Sequence, residues 1–330
     1  MKSVTLRHRE EIEVVESLTD VDLNLNPLVF AAGFLSGRVE TDGTVSTIVT
    51  EHFRTEGGEA IKVEWRMSYG AARAPGEFES EIWWALEHIF YPQIRKNPDH
   101  NGWFEVDYYD LIQLLPIRGK PGGSYYNRIT EALMCLTRTS VQIKKFRRVD
   151  DHWSQKSCYD RGYSILPEWS VPRPGSVTRK TIHLRLGDAL LDACKSNKVR
   201  PLNRAFHNAL RYWSSRRLYR FLGYKFFQVA RAGGSEYNIS YRSLCELLGV
   251  KAHKYESKAY NQLQRFHEEL VEHQFLSSEP GWEPSKTREK DWTIIYWPGS
   301  RAKAEMTKGY WRTKKHMTMV GGVDKGKCHG

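Results

Sequence analysis

The sequence predicts an α+β chain of two tandem winged-helix domains joined by a long helix, with a flexible N-terminal arm and a basic C-terminal tail. Three observations lead there. Residues 104–115 and 237–248 carry one pattern in a single gapless register: Phe104 matches Tyr237, Val106 matches Ile239, Asp107 matches Ser240, and Tyr108 matches Tyr241. Leu111, Leu114 and Leu115 continue it as Leu244, Leu247 and Leu248. Each copy is followed by a second amphipathic helix and then by alternating periodicity, the succession strand, helix, helix, hairpin of a winged helix. Between the copies, Phe206, Leu210, Trp213, Leu218, Phe221, Leu222 and Phe226 mark one apolar helix face across residues 201–232.

Taken in order, residues 1–58 are a charged start followed by a Thr- and Gly-rich stretch without sustained period, expected to be a partly ordered arm. The first domain, residues 59–200, opens on the alternating run 61–69, expected as a strand, and a Pro75-Gly76 turn. Phe78, Ile82, Leu86 and Ile89 then mark a helix expected to stop near Pro92, with Glu79, Glu81 and Glu87 on its solvated side. Trp103 to Val106 suit a short strand, and Asp107 is placed to cap the next helix. A second helix follows at residues 125–138, with Ile129, Leu133 and Leu136 facing inward. Strands are expected at 141–146, 163–166 and 181–186, and residues 147–180 read as a long wing bearing Trp153, Tyr159, Tyr163 and Trp169. An aromatic hairpin edge is readily paired, so this wing is expected to join two protomers.

The second domain, residues 201–299, repeats the plan. Its second helix spans 255–274 with Ala259, Leu263, Phe266 and Leu270 inward, and a hairpin runs from Phe275 to Trp297. Residues 300–330 form a basic, Gly-containing tail expected to lack order.

The 50 Lys and Arg against 39 Asp and Glu give a net charge of +11, which favours an anionic partner, nucleic acid or an acidic membrane surface. No apolar run reaches the roughly 18 residues of a membrane span, and acidic residues stand where a signal peptide would be apolar, so no membrane role and a cytoplasmic location are expected. Cys135, Cys158, Cys194, Cys245 and Cys328 are scattered singly, which suggests free thiols and neither disulfides nor zinc.

Enzyme classes find little support. The His-x-His pair that DNA-cutting tyrosine enzymes use to hold metal is missing among the 12 histidines. Residues 321–327, GGVDKGK, imitate a phosphate-binding loop, but Cys328 stands where a Ser or Thr would hold magnesium. No catalytic set, metal or cofactor is assigned.

The binding residues follow from the winged-helix plan, in which the second helix enters the major groove and the hairpin follows the backbone. In the second domain that helix offers Lys254, Ser257, Lys258, Asn261, Gln262 and Arg265, residue types that pair with guanine or adenine edges. The first domain offers Ser124, Tyr125, Asn127 and Arg128. Lys286, Arg288 and Lys290 at the second wing tip suit phosphates, and Arg216, Arg217 and Arg220 on the linking helix add a basic face.

The segments FESEIWWALEHIF, DYYDLIQLL, SYYNRITEALMCL, TIHLRLGDALL and RPLNRAF followed by SRRLYRFL, in this order, resemble the plasmid replication initiator family called replication initiator protein A, over about residues 61–265. Arg200, Pro201, Leu202, Arg217, Leu218 and Tyr219 match positions of that family's linker helix. The resemblance implies tandem winged helices on double-stranded DNA, direct repeats at an origin, origin opening, and recruitment of a host replication initiator and helicase. A tandem winged-helix transcription regulator, including an autorepressor, is the alternative.

Overall fold

The computed structural model describes residues 13–14, 38–39, 45–54, 60–69, 75–97, 99–116, 124–149, 152–170, 181–195, 203–231, 233–285 and 291–307. Its elements are mixed helix and sheet, antiparallel except where Glu13 and Val14 pair in parallel with Phe53 and Arg54. Strands β1 (Glu13–Val14), β2 (Arg38–Val39), β3 (Val45–Arg54) and β4 (Ala60–Ser68) lead to helix α1 (Glu77–Lys96). Then come β5 (Trp103–Asp107), α2 (Tyr108–Leu114), α3 (Ser124–Thr137), β6 (Ser140–Val149), β7 (His152–Ser164), β8 (Glu168–Ser170), β9 (Thr181–Arg185) and α4 (Asp188–Lys195). The second half holds α5 (Arg204–Ala209), α6 (Trp213–Arg231), β10 (Tyr237–Ser240), α7 (Tyr241–Leu248), α8 (Glu256–Glu272), β11 (Gly281–Pro284), β12 (Trp292–Tyr296) and a last helix, α9, over 300–307.

Two small sheets share one connectivity. In the first the order is β5-β9-β8, in the second β10-β12-β11, so the first strand pairs with the last in both. The matched residues occupy matched registers: Phe104 faces Leu184 and Val106 faces Ile182, while Tyr237 faces Tyr296 and Ile239 faces Ile294. Each first strand passes into a helix through a polar cap. Asp107 accepts from the Tyr109 N–H at 2.6 Å, and Ser240 Oγ accepts from the Ser243 N–H at 3.1 Å. Tyrosines at matched positions then tie the first helix to the second: Tyr108 Oη shares a 2.8 Å hydrogen bond with Thr130 Oγ1, and Tyr241 Oη donates to Gln262 Oε1 at 2.7 Å.

One apolar cluster gathers Trp83, Leu86, Phe104, Leu111, Ile129, Leu133 and Leu184; the other gathers Leu218, Phe226, Tyr241, Leu263, Phe275 and Tyr296. Cys135 and Cys245 are buried and Cys194 half-buried, none of the three in a disulfide; the side chain of Cys158 and all of Cys328 lie outside what is described.

Several boundaries differ from expectation. The N-terminal region contributes the ten-residue β3, which pairs with β4 along its length. Its signal was the β-branched run Val45, Thr47, Ile48, Val49 and Thr50. Helix α1 continues past Pro92 because Phe90 and Ile94 on either side are buried, which outweighs the missing N–H so near the helix end. Residues 147–180 are not one wing: β6 and β7 join β3 and β4 in a larger sheet ordered β1-β3-β4-β6-β7, with β2 also on β3. Only β8 and β9 correspond to the second unit's hairpin. Tyr163 and Trp169 pack against the first core and are not an open aromatic edge, while the side chains of Trp153 and Tyr159 lie outside what is described. In the second unit the chain starts pairing with its return at Leu276, which bridges antiparallel to Pro298, but the continuous strand β11 begins only at Gly281, and Phe275 and Leu276 are buried in the core. Residues 300–307 are helical, with Ala302 buried and Met306 against the second core; the rest of the tail, including GGVDKGK, lies outside the described residues.

The expected helix over 201–232 is two helices. Leu210 caps α5 in extended conformation and is buried, which turns the chain. The N–H groups of Arg211 and Tyr212 before α6 are accepted by the Glu269 carboxylate of α8, a cap supplied from another element.

Candidate nucleic-acid interface

Helix α8 owes its position to a strict division of its faces. Ala259, Leu263, Phe266 and Leu270 are buried, and Lys254, Ser257, Lys258, Asn261 and Arg265 are exposed on and just before it. Tyr255, immediately before α8, is 67% exposed. Arg265 lies with its guanidinium 5.2 Å from the Tyr212 ring centroid and 4.8 Å from that of Phe266. Such stacking holds the planar fork while leaving its N–H edge open. Exposed neighbours missed from the sequence extend this surface: Arg242 and Ser243 at the start of α7, and Lys251 and His253 in the turn to α8.

Gln262 stands apart from its predicted companions. Half-buried, it accepts from Tyr241 and its Nε2 donates to the Lys251 carbonyl at 3.1 Å, so its amide is spent inside the domain.

In the first unit Ser124, Asn127 and Arg128 are exposed on α3 and Tyr125 is half-buried. Arg128 sits 4.3 Å from the centroid of Phe78 and 5.4 Å from that of Tyr125. Lys286, Arg288 and Lys290 of the second hairpin tip lie outside the described residues.

The arginines of α6 require a correction. Arg216, Arg217 and Arg220 are 8, 6 and 7% exposed, and Lys225 is buried with them, so they form no outer basic face. They point at α1. Arg216 Nε reaches Glu81 at 3.0 Å and its Nη2 reaches Glu77 at 3.3 Å, while Nη1 donates to the Leu210 carbonyl at the end of α5. Arg220 pairs with Glu87 at 3.4 Å, and Arg217 lies 4.5 Å from the Trp213 ring centroid. The carboxylates expected to be solvated are thus structural: Glu79 caps the Gly76 N–H at 2.7 Å, and Glu81 faces Arg216 from a buried site. Burial raises the Glu81 carboxyl above its usual range against the pull of Arg216 and Arg220. Glu87 is pushed up to about 7 by burial, opposed by Arg220 and by the Trp83 N–H at 2.8 Å. His207 of α5 stacks on Trp84 at 4.0 Å, and burial holds it well below its usual range, hence neutral. Asn208 Nδ2 completes the seam by donating to the Leu114 carbonyl at 3.3 Å.

Among the described residues no three His, Cys, Asp or Glu side chains are grouped to hold a metal ion, and no helix is long and apolar enough to cross a membrane.

No family model matches the chain, and no curated protein matches it. Among solved structures, a selenomethionine derivative of domain 2 and domain 3 of RctB is similar at 13% identity and a TM-score of 0.47, over 82% of this chain and 98% of that one. A second structure of RctB domains 2-3 is similar at 12% identity and a TM-score of 0.36, over 80% and 94%.

Proposed function

We propose that this chain is a non-enzymatic replication initiator that binds direct repeats at a plasmid origin through two winged helices, helps open the duplex and brings in host replication proteins. The observation that carries DNA binding is the exposed face of α8, where Lys254, Ser257, Lys258, Asn261 and Arg265 stand opposite a fully buried stripe. The element order and strand pairing around it support a winged-helix reading, in which the second helix enters a major groove and the hairpin follows phosphates. The same plan around α3 supports a second contact, through fewer charges. The order of sequence segments and its resemblance to plasmid initiators supply the biological setting. Self-association is assigned to β7, which ends its sheet among the described residues and so offers a ladder edge.

Three measurements test this. A gene carrying its own flanks should sustain a plasmid that lacks an origin; repression of a promoter without plasmid maintenance would leave the transcription-regulator reading instead. Affinity for the repeats should fall steeply with salt, each phosphate contact adding roughly −0.9 to the log–log slope. A slope near zero removes nucleic acid as the partner. Monomers alone at tens of micromolar in sedimentation would remove the dimer.

A further inference from the structure

We propose that Gln262, which the residue pattern presents as a base reader, is a positioning residue that holds the α7–α8 turn against DNA phosphates. The inference rests on the DNA-binding reading above. Four hydrogen bonds meet at one buried hydroxyl and one amide, the longest from Cys245 Sγ to Gln262 Oε1 at 3.9 Å. Tyr241 Oη donates to Gln262 Oε1 at 2.7 Å, the His253 N–H donates to Tyr241 Oη at 2.9 Å, and Gln262 Nε2 donates to the Lys251 carbonyl at 3.1 Å. Tyr241, at the first position of α7, is fully buried, so the ring of bonds is anchored in the core. The turn enters from Gly249, whose φ of +66° is the left-handed conformation that ends a helix, with the Val250 N–H returning to the Cys245 carbonyl at 2.9 Å. Its entry is set by backbone geometry, its Lys251 carbonyl is held by Gln262, and its His253 N–H by the Tyr241 hydroxyl that Gln262 accepts from.

The turn held this way carries Lys251, His253 and Lys254, all exposed. Cations on a short turn contribute to phosphate binding only if their backbone is fixed, since ordering it on contact would cost conformational entropy. An amide already accepting from two side chains and donating to the main chain has little left for the paired donor and acceptor of an adenine edge. Gln262 therefore acts on affinity through the turn, and sequence preference belongs to Asn261 and Arg265.

The test uses the full chain with Gln262→Leu, Tyr241→Phe, Lys254→Ala and the double variant Gln262→Leu/Lys254→Ala, on randomised duplexes and across a salt series. Gln262→Leu should lose about tenfold in affinity, lower the salt slope by about one unit per phosphate contact released, and leave every base preference unchanged. Tyr241→Phe, which keeps the ring in the core and removes only the hydroxyl, should do the same and covers the case in which the leucine variant does not fold. In the Lys254→Ala background the Gln262 substitution should cost less than in the wild type, because part of what it positions is gone. A changed preference at one base position with an unchanged slope would make Gln262 a reader and overturn the inference, as would wild-type binding by both single variants. A wild-type chain without salt-dependent DNA binding would instead overturn the function itself.

Discussion

Helices α6 and α8 both carry arginine and lysine beside an apolar stripe, and the fold treats these cations in opposite ways. On α6 Arg216 and Arg220 are buried against Glu77, Glu81 and Glu87, while on α8 Lys258 and Arg265 meet no carboxylate in an ion pair among the described residues and remain exposed. The difference lies outside either helix. Helix α6 is enclosed, with everything from Ser214 to Leu222 buried, so any charge there must be paired and hydrogen-bonded to be tolerated. Helix α8 buries one stripe, and the cost of its cations is met by water. A basic residue beside an apolar face therefore says little about a ligand until the carboxylates of distant elements have been placed.

The comparison breaks most visibly at the seam. Arg216→Leu should destabilise the fold by about 3–5 kcal/mol in denaturant titration, because Glu81 stays buried without its ion-pair partner. Adding Glu81→Leu should recover part of that loss, and a double variant no more stable than the single would refute the pairing. Leu263→Ala, which opens a cavity beneath the exposed face of α8, should cost about 2–5 kcal/mol. The DNA contacts proposed for α8 should be intact wherever the protein still folds.

On the exposed side the effects move from stability to binding. Arg265→Ala should leave the melting transition in place and cost about 1–3 kcal/mol for the specific site, with preference relaxed at one base position. Unchanged preference for both Arg265→Ala and Asn261→Ala would transfer specificity to the first unit. Arg220→Ala should show the reverse, a less stable protein whose base preferences are those of the wild type.

Acid should weaken the second core through His267. Buried beside Tyr296 at 2.9 Å, its pKa is brought down to about 3 by burial, so between about pH 6.5 and 3 the unfolded chain takes up a proton that the folded chain refuses. Stability from this group is complete above pH 6.5 and declines as pH falls, by up to about 1.4 kcal/mol per pH unit. The variant His267→Gln should flatten that part of the pH profile, and an unaltered slope would place the histidine's titration elsewhere. The smallest effects belong to the caps, where Asp107→Ala should cost about 1 kcal/mol by freeing the Tyr109 N–H, read from the shift in denaturation midpoint.

What the sequence determined by itself is the duplicated local pattern. Alternation in β5, the capping Asp107 and Ser240, and leucines at steps of three and four all concern residues within one turn or one strand of each other, where chain geometry alone decides who shares a face. Tertiary structure decided the rest. The break at Leu210 to Tyr212 depends on Glu269, 57 residues away from Tyr212, and the survival of α1 beyond Pro92 depends on the core around Phe90 and Ile94. The sheet that absorbs β6 and β7 needed β3 and β4 as partners. The fates of Arg216, Glu81 and Gln262 were settled by groups 135 and 21 positions away in the chain. A helix wheel identifies which side chains leave the same face, and only the packed fold determines whether that face meets water, a carboxylate or another hydrogen bond.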